Sequence, residues 1–128
     1  MVANSRSRLA VVAQALVILA EAPRGMATST EIAEILDVHP VVLRRLLGVL
    51  RSDGILESRS GPKGGWAIAR DPAAISLGRV YRALSGELEV VTPAGLDEAL
   101  IRAEEAYAAT LDGVTLASLM DPRQRRPY

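Results

Sequence analysis

The chain contains no cysteine and no phenylalanine, one tryptophan and one histidine. Without cysteine there can be no disulfide, no zinc–thiolate site and no ordinary iron–sulfur ligation, and nothing points to an oxidising compartment. A lone histidine, His39, beside a helix start suits a turn or a phosphate contact better than a metal site. No metal and no cofactor are therefore expected. Aromatic residues make up 3% of a chain that is 49% hydrophobic, so the core should be aliphatic. Long apolar runs are missing too: Leu9–Ala20, interrupted by Gln14, falls short of the roughly 20 residues a bilayer span needs. Arg6 and Arg8 before that run, and Ala20-Glu21-Ala22 at its end, imitate a secretory signal. The downstream pattern needs the segment as a first helix, so a cytoplasmic protein with no membrane partner is expected. Catalytic constellations are also lacking. No nucleophile-elbow spacing occurs, and glycine-rich Gly61–Gly65 lacks the Gly-Lys-Ser/Thr ending of a phosphate loop. Glu98, Glu104 and Glu105 read as a solvated helix face, and no catalytic residue is assigned.

What remains is organised. With 128 residues, the chain fits one domain with a helical appendage. The formal net charge is zero, yet residues 1–86 hold 11 Lys/Arg against 7 Asp/Glu, and residues 87–128 hold 4 against 8. A basic front and an acidic back suggest two jobs. The expected fold is mostly α with a small β-hairpin: a winged helix-turn-helix over 1–86, a connector and dimerisation helices over 87–120, and a flexible tail over 121–128.

The elements follow in order. A first helix over Ser5–Glu21 is stopped by Pro23 and Gly25. A second starts at Thr28 or Ser29, where Thr28 and Glu31 fit a capping box; Ile32, Ile35 and Leu36 form its inner stripe. Asp37-Val38-His39 makes the turn, and Pro40 opens a third helix ending near Ser52, with Leu43, Leu46, Leu47 and Leu50 inward. Two β-type runs, Ile55–Arg59 and Trp66–Ala69, flank Gly61-Pro62-Lys63-Gly64-Gly65 and read as a hairpin with a basic tip. Trp66 should pack the hairpin onto the body. Ser76 caps a short helix that ends at Gly86. Pro93 opens a long one reaching Asp112, with the stripe Leu96, Leu100, Ala103, Tyr107 and Leu111. Thr115–Met120 adds a last turn.

A helix-turn-helix followed by a basic hairpin usually sits on double-stranded DNA. Arg44, Arg45 and Arg51, with Val41, lie off the inward face of the third helix, whose first turns would meet base edges in the major groove. Arg59, Ser60 and Lys63 belong to the wing. Thr28, Ser29 and His39, together with Arg6 and Arg8, are candidate phosphate contacts. One recognition helix covers too little DNA to select a site, so two copies on a pseudo-palindrome are expected, joined through the long-helix stripe, whose sole evident intrachain partner is the first helix. The competing reading is a winged-helix module for protein–protein contact, working through its acidic half.

Thr28–Ala33, Leu43–Leu50, Gly54-Ile55, Gly61–Trp66, Ala69-Arg70 and Ile75–Leu84 with Gly86 resemble the Rrf-two family of bacterial winged-helix regulators. The resemblance covers about residues 5–120. It implies a homodimeric, sequence-specific DNA-binding regulator of the repressor type, with the long helix crossing onto the partner, and an effector that is a small molecule or a protein. Its pocket is expected between the long helix and the winged domain. Cluster-sensing relatives carry three cysteines in the region matching Glu87–Glu105, and this chain has none there. The family's base-reading position falls on Arg44, with Arg45 beside it, and its arginine before the wing glycine is Ser60 here.

Overall fold

Apolar residues almost encircle the first helix, and such a helix must be covered on several sides. In the computed structural model, which describes residues 5–85, 95–121 and 123, helix α1 (Ser5–Glu21) runs through the centre. It touches α2 (Ser29–Leu36), α3 (Pro40–Ser52), strand β2 (Gly65–Ile68), α4 (Leu77–Ser85) and α6 (Leu116–Leu119). Val12, Leu16 and Leu19 of α1 are sealed against Ile32, Leu43, Leu46, Leu47, Leu50, Ile75 and Leu84. No helix among the described residues is long and apolar enough to cross a membrane.

Local chemistry sets the element ends. Thr28 Oγ1 accepts from the Glu31 N–H at 3.1 Å, and Glu31 Oε1 accepts from the Thr28 N–H at 3.1 Å. This reciprocal cap holds the Glu31 carboxyl below the usual carboxylate range. Asp37 takes a left-handed conformation (φ 54°) and stops α2. Ile35, expected inward, is 66% exposed, and Ala33 takes the buried position beside Ile32. A helix of only two turns can bury one narrow stripe, and Ile32 and Ala33 occupy it.

Strand β1 (Leu56–Arg59) pairs antiparallel with β2, Leu56 opposite Ile68 and Ser58 opposite Trp66. Both strands differ by one residue from the expected runs. The Ala69 N–H still donates to the Ile55 oxygen at 3.0 Å, so the ladder reaches one pair further than the strand ends. Trp66 is partly buried against the core, as expected.

Helix α5 (Leu96–Leu111) leans on α4. Its intrachain partner is thus α4, where the sequence suggested α1. Tyr107 meets Tyr81 with ring centroids 4.7 Å apart. Arg82 donates to both oxygens of Asp112 (2.7 and 3.1 Å) and to Glu105 (3.0 Å), so Glu105 is an anchor and not a free surface charge. After Gly113, an antiparallel bridge between Ser76 and Thr115 ties the chain back to the entrance of α4. The Asp121 N–H donates to Glu21 Oε2 at 2.8 Å, which fixes the start of a tail expected to be flexible. The connector Glu87–Thr92, Pro93 and residues 124–128 lie outside the described residues.

Candidate nucleic-acid interface

Four leucines decide which way α3 faces. Leu43, Leu46, Leu47 and Leu50 are at most 1% exposed, and the 3.6-residue repeat then turns Val41, Arg44, Arg45 and Gly48 outward as a row at i, i+3, i+4 and i+7. Arg44 and Arg45 are both exposed. His39 caps the helix: its Nδ1 accepts from the Val41 N–H at 3.2 Å, so its ring serves the turn itself. Pro40 at the first position needs no N–H partner.

Arg51 reaches the hairpin. Its Nη1 donates to Ser58 Oγ at 2.9 Å, and its guanidinium lies over the Trp66 ring, 5.4 Å from the centroid. Ser58 and Trp66 face each other across the hairpin, so one arginine joins the end of α3 to both strands. Arg51, expected as a DNA contact, thus has a positioning task in the fold.

The wing is fixed at its root and open at its tip. Trp66 exchanges two backbone hydrogen bonds with Ala27 (2.8 and 3.1 Å), adding the residue before Thr28 to the edge of β2. Gly65 sits at φ 146°, and a Cβ there would stand 2.7 Å from the Ala27 oxygen, so only glycine fits. This places Thr28 and Ser29 beside the root of the wing. The Thr28 oxygen is engaged in the cap, while its O–H stays available as a donor. At the tip, the Gly64 N–H donates to the Gly61 oxygen at 3.0 Å and closes a turn around Pro62 and Lys63. Lys63 is the only lysine in the chain and is exposed. Arg59 lies 3.9 Å from Glu57, with both side chains more than half exposed, a contact of little energetic weight. Ser60 is exposed. Of the α1 arginines, Arg8 is half-buried.

Two residues given no role by sequence reasoning bind the turn between α3 and the wing. Arg70 Nε donates to the Gly54 oxygen at 3.1 Å, and Arg79 donates to Asp53 Oδ2 (3.1 Å) and the Asp53 oxygen (2.7 Å). They hold the turn at the end of α3 from 16 and 26 residues away. The one available signal was the arginine of the Ala-Arg pair after the second strand.

The dimerisation stripe divides. Leu96 and Leu100 are 45% and 43% exposed, with Ile101 beside them at 62%, and Ala103 is exposed. Tyr107 and Leu111 instead pack onto the chain's own core. An apolar groove of about 430 Å³ is lined by Ala13, Gln14, Val17, Ile18, Leu36 and Leu119. This described lining comes from α1, α2 and α6, whereas an effector pocket was expected against the long helix.

Comparison with known proteins agrees with this architecture. The Rrf2 family model, described as an iron-dependent transcriptional regulator, matches residues 5–122. The HTH-type transcriptional regulator YwnA of Bacillus subtilis (strain 168) is 42% identical over 85 residues, 66% of this chain and 61% of that protein. The chain therefore aligns with less than two thirds of this relative's length. Among solved structures, T. potens IscR superposes with a TM-score of 0.68 at 28% identity, covering 93% of this chain and 85% of that one. CymR (YrzC), the global cysteine regulator of B. subtilis, superposes with a TM-score of 0.66 at 25% identity, covering 93% and 95%. The iron in the family description does not fit these residues. The sequence offers no thiolate, and no three His, Asp or Glu side chains among the described residues converge on a metal-sized site.

Proposed function

The chain belongs to the Rrf2 family of transcriptional regulators, which is not a family of enzymes, and from that premise we propose that it is a dimeric, sequence-specific DNA-binding repressor. Helix α3 enters the major groove with Arg44 and Arg45, and Lys63 on the wing reaches a phosphate or the minor groove. The observation that carries this reading is the outward Arg44–Arg45 pair on a helix locked to its hairpin through Arg51. A rigid unit with charge at both ends keeps its contacts in register on a duplex, which is what positioning and readout together require. Thr28, Ser29 and Ser60 serve the phosphates, and Arg59 takes the place of the arginine the family sets before the wing glycine.

The test is selection of duplexes from a random-sequence pool, followed by footprinting and binding at several salt concentrations. A protected site with two half-sites about one helical turn apart is expected, with affinity falling steeply as salt rises. Lys63 should also lose its reactivity toward amine acetylation when the selected duplex is bound. Failure of any duplex to be retained at low salt would leave the protein-contact reading instead.

The exposed half of α5 supports the dimer. Leu96, Leu100 and Ile101 give an apolar surface that a second copy covers, while Tyr107 and Leu111 anchor the helix to its own domain. Leu100→Glu should convert the protein to a monomer by analytical ultracentrifugation and cut affinity for the two-half-site duplex at least tenfold, with its helix content by far-ultraviolet dichroism preserved. A dimer that survives this change must form elsewhere.

A further inference from the structure

Helix α3 begins with two exposed β-branched residues, Val41 at 60% and Val42 at 49% exposure. Valine is a poor helix former, and an apolar side chain in water contributes nothing to stability. The core does not ask for it either, because Leu43 behind them is fully buried. Val41 is nevertheless held firmly, its N–H donating to the capping ring of His39. It heads the outward row that continues through Arg44, Arg45 and Gly48. Gly48 is likewise unexplained by packing: a Cβ there would meet nothing within 4 Å, although glycine inside a helix is destabilising relative to alanine. The row is therefore apolar, cationic, cationic and bare, on a helix with no carboxylate.

In the major groove the apolar group on a base edge is the C5-methyl of thymine, and the acceptor pair suited to arginine is O6 and N7 of guanine. We propose that Val41, flanked by Val42, packs on a thymine C5-methyl next to the guanines gripped one each by Arg44 and Arg45, and that Gly48 lets α3 seat closely against the groove wall. The inference rests on the DNA-binding reading above and adds the chemistry of the half-site: a methyl-bearing pyrimidine beside a guanine.

Deoxyuridine tests it, since it keeps every hydrogen-bonding group of thymidine and lacks only the methyl. Each thymidine in a half-site of the selected duplex is replaced in turn, and binding of the full chain is followed by fluorescence anisotropy. One position should bind about three- to tenfold more weakly as deoxyuridine. With Val41→Ala, which keeps the helix intact, that ratio should fall to one. Gly48→Gln should weaken both duplexes equally, by about tenfold, without lowering the melting temperature. Equal affinity for thymidine and deoxyuridine at every position, or an unchanged ratio in Val41→Ala, overturns the methyl contact. Full affinity in Gly48→Gln overturns the close seating. Absence of any retained duplex sinks the DNA-binding reading itself, and the inference with it.

Discussion

Replacing Arg44 and Arg45 together by alanine should weaken binding to the selected duplex by about two orders of magnitude while the melting temperature stays where it is. The second half of that statement follows because what an exposed arginine loses at the surface weighs little against the packing of α3. All the leucines that bury the helix lie on its other face, both arginines are exposed, and alanine is the strongest helix former. The first half follows from groove chemistry. A bidentate arginine on guanine is worth about 1–3 kcal/mol of discrimination, and each 1.4 kcal/mol is about tenfold in affinity. Two such residues thus account for roughly thirtyfold at the low end and about twenty-thousandfold at the high end. Arg44→Lys separates base reading from phosphate attraction. It keeps the charge but loses the planar fork, so selected and scrambled duplexes should be bound more nearly alike while the salt slope hardly changes. A double-alanine protein that still binds within threefold of the original would remove α3 from the interface.

The parts of the fold written in short-range rules were legible before any coordinates. Thr28 with Glu31, Pro40 after a turn, and four leucines at helical spacing each depend on neighbours within one or two turns, and each stands where the sequence puts it. The turn at the wing tip is equally readable, since Gly61 and Gly64 close it between themselves, whereas the need for Gly65 comes from the distant Ala27 backbone. Contacts across space were not legible. Arg51, Arg70 and Arg79 look like three more surface cations in the sequence, and their different fates depend on Ser58, Trp66, Gly54 and Asp53 arriving beside them. The long-helix stripe reads as one continuous surface because periodicity reports a face and not its occupant. Tyr81 decides that its second half stays at home. The apolar groove was out of reach for the same reason: it needs α6 folded back beside α1 and α2, next to the Ser76–Thr115 bridge.

The seam between α4 and α5 should break in a single substitution, Gly78→Ala. Gly78 lies where α5 crosses α4, and an added Cβ would run into Asp112 Oδ1 and stand 2.5 Å from the Ala108 backbone oxygen. A flexible side chain could swing aside, but a helix carbonyl cannot, so the whole of α5 must move outward. Overpacking of this kind costs about 1–3 kcal/mol. The displacement also pulls Asp112 and Glu105 away from Arg82, whose guanidinium they hold from two directions. A melting temperature several degrees lower is expected, together with weaker dimerisation, because the exposed leucines of α5 then face a second copy at the wrong angle. Two intrinsic probes localise the damage. Near-ultraviolet dichroism of the Tyr81–Tyr107 pair should change, while fluorescence of Trp66, on the wing against Arg51, should not. Acid should reproduce the effect in the unaltered protein. The hydrogen bonds from Arg82 hold the Asp112 carboxyl below its ordinary range, so this contribution is present above the unfolded carboxyl's value of about 4 and is lost as the pH falls through the lower folded one. The tyrosine signal should therefore move below about pH 4 before the Trp66 signal does. A Gly78→Ala protein with native tyrosine dichroism and an unshifted melt would mean that α4 and α5 do not approach this closely.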